Sequence, residues 1–344
     1  MAKGIGVILV LLGHLQGERF FSFSPYILPM CEWIFSFHMP LFFIVAGTLI
    51  RHKKECDKDI KEIAMKRFKG IMIPYYWFSF FYLCVVIYAL INKSVLPQTL
   101  YVNIWYIFSL YGMNVLWFLP TLFIAELVFI YITQKFKVNK SVIITVIMGL
   151  IGFLVSYYMT QITYGSAVLE RTHELLQVII RPIIASTFIS IGYYGYSLLE
   201  GKSTKKWISV GLGLLLIIVG ACFVKINHGV DFRSLVFKNV IFYYLCALTG
   251  SYGVILLCKG IHTIKPIVFW GSNSLIFMAT HNSETVLFWG LKLSMYVNQF
   301  ITHARGYICY AVVVAVILLY VSIMIFIINR LCPFILGKSF KMNK

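Results

Sequence analysis

At 344 residues the chain is long enough for two soluble domains, but 60% of it is hydrophobic and only 12% is charged. With a mean hydropathy of +0.86, too little polar surface remains to cover a water-facing fold, so an integral membrane protein is expected. The 30 Lys and Arg against 12 Asp and Glu give a net charge of +18. These basic residues lie between apolar runs of membrane length, so the charge reports topology and no nucleic-acid partner is expected. The 8 cysteines are scattered singly without a CxxC pair, so neither a disulfide framework nor a metal site is signalled.

A helix satisfies its own backbone in hydrocarbon and needs about 20 apolar residues to cross it. In chain order such runs fall at 4–21, 32–50, 70–91, 114–133, 141–160, 177–199, 206–224, 236–257, 267–290 and 307–332. An all-α, polytopic bundle of about 10 transmembrane helices is therefore expected, forming a single membrane-embedded domain over 1–344 with no soluble domain. The aromatic stretch 101–112 is too short to cross and reads as interfacial or re-entrant. The ninth run carries His281, Asn282 and Glu284 and is expected to break. Alternate loops hold 21 of the 30 basic residues, which places both termini in the cytoplasm. The first run lacks a small-residue cleavage site and carries a histidine, so it reads as a retained span.

The segment 51–69 holds Ile60, Ile63, Ala64 and Phe68 at helical spacing, surrounded by Lys58, Lys61, Lys66 and Arg67. It reads as an amphipathic helix on the inner leaflet, bound to anionic membrane lipid or to a phosphorylated cytosolic ligand.

Ionisable groups inside spans are expensive, and each marks a functional hypothesis. Here they are His14, His38, Glu126, Arg181, His281 and Glu284. Lys3 and His14 are eleven positions apart, about three turns plus 20°, so both lie on one face with the imidazole roughly 16 Å deeper. Neutral histidine suits proton abstraction near pH 7, provided a second group fixes its tautomer. A histidine bonded to a neighbouring carbonyl is the competing structural account. His38 precedes Met39-Pro40 and either serves the site or bonds a carbonyl freed by the proline. Glu126 either orients His14 or binds an acceptor, against a plain helix–helix bond. Trp117 is either an interfacial belt residue or a sugar platform. No nucleophile elbow or Walker loop occurs, and HELLQ at 173–177 fails the zinc-protease pattern.

Four blocks in order carry a resemblance. They are Lys3-Gly4-Ile5-Gly6-Val7-Ile8-Leu9-Val10-Leu11-Leu12-Gly13-His14, then Ile34-Phe35-Ser36-Phe37-His38-Met39-Pro40, then Trp117-Phe118-Leu119-Pro120, and Gly271-Ser272-Asn273-Ser274-Leu275 with His281. The chain resembles the acyltransferase family 3 membrane O-acyltransferases, in particular the fucose 4-O-acetylase-like branch. One departure is Arg67-Phe68-Lys69-Gly70 before Pro74, where the family tends to carry two arginines three apart; Gly70 fills the second place, so Lys66 or Lys69 stands in.

The resemblance implies transfer of an acetyl group from cytosolic acetyl-CoA to a hydroxyl of a cell-envelope sugar, polysaccharide or lipid-linked glycan. Acetyl-CoA would be a substrate, with no bound cofactor. The resemblance implies an essential His14 with Lys3 as its basic partner; Glu126 joins them as a catalytic residue. Lys66, Arg67 and Lys69 would hold the acyl donor, and His38, Trp117, Arg181, Asn273 and His281 the acceptor. A bacterial inner or plasma membrane is the expected location, and a homo-oligomer is left open. The alternatives are a transporter or flippase for an envelope precursor, for which no inverted repeat is visible, and a structural subunit, which leaves a mid-membrane histidine unexplained.

Overall fold

A computed structural model describes residues 1–15, 27–162, 165–197, 205–298 and 305–338. It is all-helical, with only an isolated antiparallel bridge between Asp231 and Val236 among the described residues. In chain order the helices are α1 (Ala2–His14), α2 (Ile27–His52), α3 (Ile60–Arg67), α4 (Ile73–Ile91), α5 (Pro97–Phe108), α6 (Phe118–Lys135) and α7 (Val138–Met159). There follow α8 (Ala167–Tyr194), α9 (Lys206–Phe223), α10 (Val240–Gly260), α11 (Lys265–Ser272), α12 (Ser274–Thr280), α13 (Glu284–Asn298) and α14 (Arg305–Leu331).

Among the described residues, eight helices are long and apolar enough to cross a membrane. Two expected spans differ. The first run is described only as far as Leu15, where α1 ends after 13 residues, and the remainder to 21 lies outside the described residues. The ninth is broken twice, once at Asn273 and again at 281–283, giving the short helices α11, α12 and α13. The segment 51–69 also departs from expectation. α2 runs on to His52, a 3-10 turn covers Glu55–Asp57, and α3 joins α4 through a π-turn at Phe68–Met72. The surface helix is thus the first two turns of a 32-residue helix, Ile60–Ile91. Its apolar stripe is divided, with Ile63 buried and Phe68 exposed. α5, 12 residues long, is too short to cross.

Local chemistry accounts for several helix starts. The Ser166 hydroxyl accepts the backbone N–H of Leu169 at the head of α8, and Asn239 accepts those of Ile241 and Phe242 at the head of α10. Such caps satisfy N–H groups that a helix cannot pair internally. Pro97 and Pro266 open α5 and α11, where a missing N–H is harmless.

The chain divides into two compact units, each drawn from separate segments. The first comprises Met1–Phe42, Lys202–Val230 and Lys238–Arg330. In it, α1 packs along α11 and α12, and α9 packs along α10. Gly4 makes the first contact possible. A Cβ there would stand 1.9 Å from the Ile267 carbonyl oxygen, and one on Gly271 would stand 2.6 Å from the Gly4 nitrogen. Small residues let membrane helices approach this closely.

The second unit comprises Phe43–Gly201, Asp231–Phe237 and Leu331–Lys344. α8 is its axis, packed against α6 and α7. The second half of α2 crosses α8 with Gly47 against the Ile189 carbonyl and Gly192 against that of Ile44; a Cβ at either would lie 2.0 Å from oxygen. Phe43, Phe118 and Phe232 meet in its core at 5.4 Å ring separations.

Cys56, in the 3-10 turn, offers a probe of this packing. Burial pushes its thiol up to about 11. A variant with Cys56 as its only cysteine is expected to react with maleimide about a thousandfold below an unperturbed-rate thiolate at pH 8, rising about tenfold per pH unit, because only the thiolate attacks. A rate independent of pH between 8 and 10 would contradict that burial.

Candidate active site

In the first unit, α1 and the α11–α12 pair run side by side in the same direction. Gly4 meets Gly271 at one end. Ten residues further along each segment, the rings of His14 and His281 lie 5.2 Å apart. This shared spacing brings together two histidines from opposite ends of the chain.

His281 closes α12, where the helix can no longer supply acceptors for its own last carbonyls. Its Nδ1–H donates to Met278 O at 2.8 Å and reaches Phe277 O at 3.2 Å. Donation to carbonyls fixes the tautomer, leaving a bare lone pair on Nε2. The residue is 2% exposed, and Nε2 has no hydrogen-bond partner among the described residues. A buried, unpaired acceptor is uncommon in folded proteins and calls for a reason. His14 is half-buried beside it. At an effective dielectric of 20, two imidazolium charges 5.2 Å apart would repel by about 3 kcal/mol, so the pair accommodates one proton at a time.

Phe35 stands edge-on to His14 at 6.0 Å and to His38 at 5.1 Å, placing the third imidazole one ring away. His38 donates from Nδ1 to Ile34 O at 2.8 Å. That carbonyl is four residues back, whereas the one that Pro40 leaves without its N–H belongs to Ser36, so His38 does not repair the proline. It too keeps a fixed tautomer. Asn273, between α11 and α12, donates to Phe269 O at 2.9 Å and accepts from Asn329 Nδ2 at 2.8 Å. Its amide therefore braces the helix break against α14. Lys3 lies on α1 about three turns before the pair, at the opposite end of that helix.

The other expected site residues belong to the second unit. Arg67 is shared by two buried carboxylates. Its Nη2 donates to Glu55, and its Nε lies 2.7 Å from Glu126 Oε2, an ion pair without hydrogen-bond alignment. Lys66 joins Glu55 at 3.2 Å with its side chain 56% exposed. Glu126 is thus paired with Arg67. Lys69 has no carboxylate within 4.0 Å among the described residues.

Arg181 is fully buried on α8 and donates to Arg233 O at 2.7 Å, Tyr111 O at 3.2 Å and Gln177 Oε1 at 2.9 Å. Its guanidinium also covers the rings of Tyr111 at 4.5 Å and Trp117 at 5.4 Å. Trp117 is buried and stacks on Phe232. HELLQ, unfit for zinc, has a different use here. Gln177 holds Arg181, while Glu174 accepts Trp105 Nε1–H at 2.9 Å and pairs with Arg171 at 2.6 Å.

Sequence reasoning missed Glu55, Glu174 and Gln177, which are ordinary polar residues in loops or on a helix until their partners are known. Fixed spacing made Lys3 and His14 visible, but no local signal tied His14 to His281. The side chain of Glu284 lies outside the described residues.

Among the described residues, eight membrane-length helices define a multi-pass helical membrane protein. The acyltransferase family 3 model, described as an acyltransferase domain, matches residues 1–327. The chain belongs to that family and is a membrane acyltransferase. No curated protein and no solved structure matches it.

Proposed function

We propose that the protein transfers an acetyl group from acetyl-CoA to a hydroxyl of a cell-envelope sugar or polysaccharide, as the fucose 4-O-acetylase-like motifs suggest, with His14 as general base. The observation that carries this reading is the His14–His281 pair, 5.2 Å between rings and with one tautomer fixed. A sugar hydroxyl is a poor nucleophile at neutral pH, and a positioned imidazole removes its proton as the new bond forms.

The alcohol oxygen attacks the thioester carbonyl carbon while its proton passes to His14. The resulting oxyanion collapses, the C–S bond breaks, and the sulfur leaves with the proton held on the imidazole. The products are an ester and a free thiol, and the base is restored. His281 holds a lone pair beside His14 and positions it or shares its proton. His38 and Asn273 keep that wall of the site in place. Lys3, about 16 Å from His14 along α1, suits an anionic part of the donor, whose flexible arm spans the remaining distance. In the second unit, Lys66 and Arg67 pair with buried Glu55 and order the segment that carries them. Glu126 acts through Arg67. Arg181 and Trp117, fully engaged with their neighbours, support the aromatic wall of the second unit.

The test is transfer by the purified protein in vesicles. Radiolabel from the acetyl group of acetyl-CoA should appear in a carbohydrate acceptor, with one thiol released per ester formed. Thiol release without labelled acceptor, or no acceptor among envelope glycans, would refute this reading.

A further inference from the structure

We propose that an aromatic groove on α4 binds an acyl chain of an anionic phospholipid whose phosphate rests on Lys69. The groove is open to the surface, has a volume of about 470 Å³ and is lined by Phe68, Ile73, Tyr76, Trp77 and Phe80. Its only side-chain polar atoms are the Tyr76 hydroxyl and the Trp77 N–H, so its contents are apolar. A volume of that order is enough for a small molecule.

The backbone explains why there is a hollow. Ile73, Tyr76, Trp77 and Phe80 fall on one α-helical face, at steps of three and four. Phe68 would leave that face in a regular helix, being five residues before Ile73. The π-turn at Phe68–Met72 restores it, because one π-turn takes about five residues rather than four. The aromatic row therefore extends past the turn, with a widened gap in the middle.

This face lies on a membrane-length helix, and its rings are uncovered, from 36% exposed at Trp77 to 53% at Phe80. Hydrocarbon is what such a face meets in a bilayer. One side is closed by the 3-10 turn Pro333–Leu336, where Phe334 stands edge-on to Trp77 at 5.2 Å.

Charge selects the lipid. The groove ends where basic residues collect, but most of their charge is used locally: Arg67 by Glu55 and Glu126, Lys66 by Glu55. Lys69 has no such carboxylate among the described residues, and it is exposed at the end of the groove, next in the chain to the lining residue Phe68. Gly337 adopts φ +65° and packs against the Lys69 carbonyl, setting exposed Lys338 next to it in the chain. An anionic phosphate at the end of the hollow and a chain within it satisfy both features. The inference is independent of the acyl donor and acceptor.

Trp77 reports on the groove directly. The protein would be placed in phosphatidylcholine vesicles containing increasing fractions of either phosphatidylglycerol or phosphatidylcholine with brominated acyl chains. Trp77 emission is the difference between the protein and Trp77→Phe. Half-quenching is expected at a mole fraction about fivefold lower for the brominated phosphatidylglycerol, matching about 1 kcal/mol for one lysine near a phosphate. Lys69→Gln should erase that preference, and Ile73→Phe, which fills the hollow and keeps the charge, should erase it as well. Equal quenching by the two lipids, or a preference that survives Lys69→Gln, would overturn the proposal.

Discussion

Replacing His14 with alanine is expected to lower kcat by about 10²–10⁴-fold, the range for removing a positioned general base. His281→Ala should produce a loss of the same kind, because it removes the buried lone pair beside His14. The informative variant is the double. If the imidazoles act as one unit, losing both should be little worse than losing one, since groups in one catalytic constellation are strongly non-additive. Independent roles would instead multiply the two losses. Membrane expression and melting temperature should stay close to those of the parent after His14→Ala, as that ring is only half-buried. Initial rates with acetyl-CoA and a carbohydrate acceptor, measured from pH 5 to 9, provide the check. In the parent, kcat should rise as the imidazole loses its proton; wild-type rates in His14→Ala would reject the base.

Arg67→Ala should give the largest loss of stability. It strands Glu55, whose side chain is 1% exposed, and Glu126, at 5%. Removing one partner from a buried ion pair costs about 3–5 kcal/mol, because the remaining charge keeps its desolvation penalty without its attraction. Lys66 offsets little of this from a side chain that is 56% exposed. The melting temperature in detergent should therefore fall clearly. It should recover in a triple variant in which Arg67→Met is joined by Glu55→Gln and Glu126→Gln, which removes all three buried charges. If Arg67 instead contacts donor phosphate directly, Arg67→Lys would raise KM for acetyl-CoA without lowering the melting temperature. An unchanged melting temperature in Arg67→Ala would show that the ion pairs contribute little.

The sequence made the class of fold plain because hydrocarbon permits few solutions. Among the described residues, eight of the ten apolar runs became membrane-length helices, and even the expected break in the ninth could be read from His281-Asn282. Local rules were less decisive near Arg51–Lys69. Charges there suggested a separate surface helix, but the run Phe68–Met72 holds no helix breaker except Gly70, so α3 continues into α4 through a π-turn. Site residues divided in a similar way. The spacing of Lys3 and His14 is local and was readable. The approach of His281 to His14 depends on Gly4 meeting Gly271, which is a tertiary contact with no periodic trace. Glu126 was visible as an expensive mid-span acid, while its partner Arg67 lay in a segment read for its surface charge. Glu55 was indistinguishable from the other acids of that segment until its burial was known.

The matched ten-residue offset from Gly4 to His14 and from Gly271 to His281 works as a pair of rulers sharing a zero mark. Adding one residue inside α1 would swing its imidazole through about 100° and advance it about 1.5 Å, out of reach of its mate. A matching insertion in α12 would restore the common level but turn its ring by the same hand, so the two imidazoles would leave the shared seam on opposite sides. One-residue length changes in these two stretches are thus ruinous singly and in tandem, even where the inserted residue is an innocuous alanine.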